Sequence, residues 1–170
     1  MIKKLGLAAI ATVCLAAPAL AQGKLHVETS KGCSFDIKLR VDLAPKHVAQ
    51  ITKLAKDGFY NGIVFHRVID GFMTQTGDPT GTGMGGSKEP DIQAEFSQEH
   101  YARGTVGMAR TNDPNSANSQ FFIMFADGGF LDGKYTVWGQ VDEKGMACVD
   151  KIARGEPPAT PDKMLKVTVQ

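Results

Sequence analysis

Between Lys24 and Val169 the chain is broken into short apolar runs of period two, each closed by a glycine-, asparagine- or aspartate-bearing turn. Leu25 and Val27 alternate within Lys24 to Thr29, and Phe35, Ile37, Leu39 and Val41 alternate cleanly. Lys31-Gly32 lies between these runs, which predicts a β-hairpin. Ile63 to Ile69 and Phe72 to Thr76 read as strands joined at Asp70-Gly71. Gly104 to Ala109, Gln120 to Phe125, Tyr135 to Val141 and a closing run through Leu165, Val167 and Val169 read the same way. Helical spacing occurs twice. Pro45 opens a helix with Val48, Ile51, Leu54 and Ala55 on one face and Gly58 as its stop. Lys144 to Arg154 forms a second, with Met146, Val149, Ile152 and Ala153 inward and Gly155 as its stop. About eight short strands and two helices imply a mainly β domain, a barrel with covered ends, because closure removes exposed strand edges. The 19 glycines and 8 prolines fit that density of turns. At 170 residues, without an internal repeat or low-complexity tract, the chain reads as one domain. Strand order is not readable from this pattern.

The first 21 residues stand apart. Lys3 and Lys4 precede an uncharged run from Leu5 to Ala17, and Ala19-Leu20-Ala21 supplies a small-x-small site before Gln22. The expectation is a cleaved secretory signal over 1–21 and a folded domain over 22–170, exported to the periplasm or medium and free of the membrane. Pro18 and the alanine content make the run a poor bilayer span. Val13 before Cys14 argues against a lipid anchor. The formal charge of +1, from 19 basic and 18 acidic residues, lacks the broad electrostatic footprint of a nucleic-acid binder. Export permits a disulfide, but Cys33 and Cys148 are far apart and belong to no cysteine framework, so they are expected to stay unpaired.

Several motifs fail on context. Gly81-Thr82-Gly83-Met84-Gly85-Gly86 has dinucleotide-loop spacing, yet Ser87-Lys88-Glu89-Pro90 follows where a helix is required, so a flexible loop is expected. Gly128 to Tyr135 resembles a phosphate loop until Tyr135 falls where Ser or Thr should bind magnesium. The histidines lie at no metal-ligand spacing and no nucleophile elbow exists, so neither a metal nor any other cofactor is expected. The remaining candidate is the run Phe65-His66-Arg67-Val68-Ile69-Asp70-Gly71-Phe72-Met73-Thr74-Gln75-Thr76-Gly77-Asp78. Alternation places Phe65, Arg67 and Ile69 on one strand face, with His66 and Val68 opposite. A charged residue in phase with two large apolar ones is unusual. On the residues alone, a structural arginine paired to a carboxylate is the commoner explanation, and Phe72 and Met73 are more often core than site.

That run resembles the signature of the cyclophilins, which are peptidyl-prolyl cis-trans isomerases. Further matches follow in order: Gly81-Thr82-Gly83, Glu95-Phe96, Gly104 to Ala109, Ser119-Gln120-Phe121-Phe122-Ile123 and Leu131-Asp132-Gly133-Lys134. The similarity covers about Lys24 to Val169, and Met108-Ala109-Arg110-Thr111 resembles bacterial members. The resemblance implies a closed eight-stranded antiparallel β-barrel capped by two α-helices. It implies that Arg67 is catalytic and that Gln75 helps to hold it. It places Phe72, Met73, Gln120, Phe122 and Leu131 at the proline pocket and its rim, and Ala109, Arg110 and Thr111 along the substrate backbone. Phe130 stands where many eukaryotic members have Trp, and Tyr135 where many have His. Both belong to the substrate surface, and the change at Phe130 implies weak binding of cyclosporin-type cyclic peptides. The expected partners are proline-containing unfolded polypeptides, met by a monomer. The alternative is a binding module or holdase that uses the same groove without catalysis, for which a guanidinium in the groove would have little use.

Overall fold

A computed structural model describes residues 23–170. The expected leader over 1–21 lies outside the described residues. Strands β1 (Lys24–Thr29) and β2 (Ser34–Leu39) form the first hairpin, turning at Gly32, whose φ of 71° suits glycine. Leu25 faces Ile37 and Val27 faces Phe35 across the ladder, and all four are buried. Helix α1 (Pro45–Lys56) buries Val48, Ile51, Leu54 and Ala55 as the spacing predicts, and Gly58 follows at φ 73°. No local side chain caps it. Instead the Glu95 carboxylate, 48 residues on, accepts from the backbone N–H of Lys46 and His47 at 3.1 and 3.0 Å.

The remaining elements are β3 (Arg67–Ile69), β4 (Met73–Thr76), β5 (Thr105–Met108), β6 (Phe121–Met124), β7 (Val137–Gln140), α2 (Glu143–Val149) and β8 (Met164–Val169). The eight strands form one antiparallel sheet in the order β3-β4-β6-β5-β7-β2-β1-β8. The sheet curls into a half-barrel, so closure is less complete than a continuous ladder. Its two edge strands are stitched by backbone bonds from the run that precedes β3: Phe65 N–H to Asp162 O at 2.8 Å and Met164 N–H to Ile63 O at 2.9 Å. Residues 63–66 therefore run along the edge without forming the long strand expected there.

Strands β5 and β6 are buried at every position. Successive side chains point to opposite faces, so both faces of the sheet must be covered here. One face carries the barrel core, where Phe121 meets Tyr60 and Trp138 edge to face at centroid distances of 5.6 and 5.3 Å. The other carries a smaller cluster of Met73, Tyr101, Phe122, Met124, Leu131 and Val137. The second cluster becomes the site.

Three local expectations are corrected. Helix α2 ends at Val149, short of Arg154, and Gly155 belongs instead to a backbone bridge with Val68. Leu165 is exposed, because the register shift beside Thr29 brings Met164 and Val167 inward. Cys33 and Cys148 are bonded, with Cα atoms 5.8 Å apart across 115 residues of sequence. The cause is the packing of α2 across the start of β2. Gly145 lets the helix come close, since a Cβ there would lie 3.2 Å from that of Phe35 and 2.7 Å from Val141 Cγ1. No sequence spacing announces that contact.

Candidate active site

The register of the sheet aligns one row of residues across five strands. Arg67 faces Gln75, Gln75 faces Phe122, Phe122 faces Gly107, and Gly107 faces Val137. Residues in one row share a face, so the row sets a guanidinium, an amide and an aromatic ring side by side. Gly107 makes this possible: a Cβ there would meet Tyr101 and lie 2.5 Å from Phe122 Cζ. Its bare backbone admits the Phe122 ring, which stacks on Tyr101 at 5.8 Å and meets Tyr135 edge-on at 5.9 Å.

Above the row lies a hollow of about 320 Å³, lined by Arg67, Phe72, Met73, Gln75, Ala109, Arg110, Phe122, Phe130, Leu131 and Tyr135. Met73 and Phe122 are buried in its floor, and Leu131 closes one side. Phe130 is 62% exposed on the rim and packs against Phe72 at a centroid distance of 5.5 Å. The other two expected site residues, Thr111 and Gln120, border a neighbouring hollow of about 400 Å³ with Gly83 to Ser87, Asp91, Ser116 and Asn118. Gln75, Ala109 and Arg110 line both. The structure thus brings every expected site residue to two adjoining depressions.

One expected facing is overturned. Phe65 is fully buried in the barrel core with Val68, whereas Arg67 and Ile69 face the other way. Regular pairing starts only at Arg67, so period-two alternation does not extend back to Phe65. This removes the anomaly of a charge in phase with a core phenylalanine. Arg67 is half-exposed at the edge of the hollow. Its Nε–H donates to Glu156 Oε1 at 2.8 Å and its Nη1–H to Gln75 Oε1 at 3.4 Å. Gln75 Nε2 donates to Gln120 Oε1 at 2.9 Å, and Gln120 Nε2 donates to the carbonyls of Gly83 and Gly85 at 3.0 and 2.8 Å.

The glycine-rich loop is held more firmly than a flexible reading implies. The buried Asp78 carboxylate accepts from the backbone N–H of Thr80, Thr82 and Gly83. Burial pushes its pKa up, but the donors from Thr80, Gly85 and Gly83 outweigh that and bring it down to about 2. Arg110 is likewise committed, donating to the carbonyls of Thr111 and Lys134 and stacking 4.3 Å above the Tyr135 ring. Burial lowers the pKa of His66, which keeps its ring neutral at neutral pH. His100 bridges the rim: its two ring nitrogens lie 2.7 and 2.6 Å from Asp132 and Asp127, which flank Phe130 and Leu131.

Chemically, the first hollow offers apolar walls, the guanidinium groups of Arg67 and Arg110 and no carboxylate, imidazole, hydroxymethyl or thiol among its lining residues. It can grip a small ring and offer N–H donors, but it contains no nucleophile–base pair. A cyclophilin type peptidyl-prolyl cis-trans isomerase profile matches residues 24–169. The chain belongs to the cyclophilin family. A probable peptidyl-prolyl cis-trans isomerase of Brucella suis is 55% identical to this cyclophilin, over 79% of this chain and 76% of that protein. A cyclophilin of Hirschia baltica superposes with a TM-score of 0.77 at 32% identity, covering 85% of this chain and 73% of the other. A Cryptosporidium parvum cyclophilin type isomerase, solved in the presence of the dipeptide Ala-Pro, gives 0.78 at 26% identity, covering 86% and 98%. This cyclophilin is therefore a peptidyl-prolyl cis-trans isomerase.

Sequence reasoning missed Glu156, His100, Asp127, Tyr101 and Gly107. A glycine inside an otherwise apolar strand is a signal of close approach that could have found Gly107. Glu156, 89 residues from its arginine, leaves no such local trace.

Proposed function

We propose that this cyclophilin turns X-Pro bonds in exported, unfolded or partly folded chains, with Arg67 as the donor that stabilises the twisted amide. Rotation about the bond breaks amide resonance at a cost of about 18–20 kcal/mol. In the twisted state the prolyl nitrogen regains its lone pair and becomes an acceptor, whereas in either planar state it is a poor one. A guanidinium aimed at that nitrogen stabilises the transition state selectively, with no proton transfer. Arginine suits the role because it stays charged and its donors form a fixed fork. Moving from tens of seconds to milliseconds requires about 5.5–7 kcal/mol. One charge-assisted hydrogen bond supplies about 1.5–3 kcal/mol. The balance falls to the apolar hollow, which holds the ring and sheds water while the preceding residue rotates in the neighbouring depression.

The observation that carries this reading is the shared row that sets Arg67 and Phe122, with Gln75 between them, on one apolar hollow. The basic, apolar, small-x-small start of the chain and the Cys33–Cys148 bond support clients in an oxidising, exported compartment. The test is Arg67→Ala, assayed by NMR exchange on an Ala-Pro peptide. Turnover should fall by about one to two decades, the equivalent of one such bond. Turnover surviving within a few-fold would defeat the role given to Arg67.

A further inference from the structure

Among the described residues Arg67 meets one carboxylate, that of Glu156, and the backbone places it there. The N–H and C=O of Gly155 both pair with Val68, each at 2.8 Å, next to Arg67 on β3. Gly155 has φ 146°, and a Cβ there would lie 2.8 Å from Pro157 O and 2.5 Å from Pro158 Cα. Only a glycine can make this bend, and the residue it delivers to the guanidinium is Glu156. At the base of the same loop Asp162 accepts from Ala153 N–H at 2.9 Å and from Ser30 Oγ at 2.9 Å, pinning both ends of the loop to the β1–β2 turn. Glu156 is thus held from both sides, although its side chain is half-exposed.

The guanidinium is planar, so two acceptors on different edges fix its orientation. Glu156 holds Nε, and Gln75 holds Nη1 through a longer bond of 3.4 Å. Nη2 has no hydrogen-bond partner among the described residues, and the side chain lines the hollow. An arginine has several rotatable bonds, and one long contact to a neutral amide constrains them weakly. Because both ends of the ion pair are half-exposed, solvent screens the charges, and the carboxylate orients the guanidinium more than it neutralises it.

We infer that Glu156 is a positioning residue for isomerisation, holding Arg67 through Nε so that its remaining donors face the proline hollow. This rests on the reading of Arg67 as the donor to the twisted amide. In an Ala-Pro exchange assay, Glu156→Ala should lower kcat by about three- to fivefold, the upper range for an exposed ion pair, with KM unchanged. Glu156→Gln, which keeps an acceptor oxygen, should stay within about twofold of the parent. In an Arg67→Ala background, Glu156→Ala should have no further effect. Nitrogen-edited NMR should show the Arg67 Nε–H signal shifted in Glu156→Ala and retained in Glu156→Gln. An unchanged or raised kcat in Glu156→Ala, with Arg67→Ala still crippled, overturns the inference and leaves the role of Arg67 standing. So does a loss that repeats in the Arg67→Ala background, or one that falls on KM alone. A harmless Arg67→Ala overturns both.

Discussion

Gly107→Ala is the smallest change that should reach the chemistry without removing a polar group. The added Cβ would lie 2.5 Å from Phe122 Cζ and would also meet Tyr101. Ordinary contact is about 3.5–4.0 Å, so one or both rings must retreat by about 1 Å. Phe122 and Tyr101 are buried and stack on each other at 5.8 Å, with Tyr135 edge-on to Phe122, and of the two rings Phe122 alone borders the hollow. Phe122 is therefore displaced into the hollow it floors. Over-packing of this kind costs about 1–3 kcal/mol. In a domain of this size that corresponds to a melting temperature lower by about 2–12 °C. Displacing a positioning surface by about 1 Å can reduce turnover by about a hundredfold. Thermal unfolding followed by circular dichroism and NMR exchange on an Ala-Pro peptide would measure the two effects on one preparation. A variant that melts with the parent and turns over within a few-fold of it would refute the claim that the missing Cβ shapes the hollow.

Two further consequences concern stability and pH. Reducing the Cys33–Cys148 bond should lower the denaturation midpoint, because it frees a loop spanning 115 residues; the chain-entropy rule puts a closure of that length at about 4.7 kcal/mol. A Cys33→Ser, Cys148→Ser pair should reproduce the shift, and midpoints that coincide with and without reductant would count against it. His100 is raised from its ordinary pKa of 6.5 by hydrogen bonds to Asp132 and then Asp127, and both bonds together require the protonated ring. A raised pKa means the clamp is fully present below that ordinary value and is lost as pH climbs through the folded value. The His100 ring signals should titrate above the ordinary range in NMR and return towards it in Asp132→Asn. Chemical shifts of Phe130 and Leu131 that ignore the His100 titration would show that the clamp does not hold the rim.

The legible parts of this protein are those governed by local periodicity. Phe35-Asp36-Ile37-Lys38-Leu39 alternates because one face is buried, and it forms β2. Pro45 and the spacing of Val48, Ile51 and Leu54 specify α1. The reading failed where tertiary contacts override period: at Phe65, which precedes regular pairing, at Leu165 beside the bulge, and at α2, which stops at Val149. The site residues from Arg67 to Tyr135 were accessible only through the order of their motifs, since each taken alone is commoner in a core or a surface ion pair.

Local period in the sequence marked out a mainly β domain with two helices, and the likeness of its ordered motifs to the cyclophilins pointed to the residues around the hollow, because period and motif order are properties read along the chain. Sheet register then placed Arg67, Gln75, Phe122 and Gly107 in one row, and a bridge at Gly155 brought Glu156 to the guanidinium. Those placements, like the approach of Cys148 to Cys33 over Gly145, join segments far apart in the chain. Such contacts are set by how surfaces pack once the sheet has curled, and no pattern confined to a single segment encodes them.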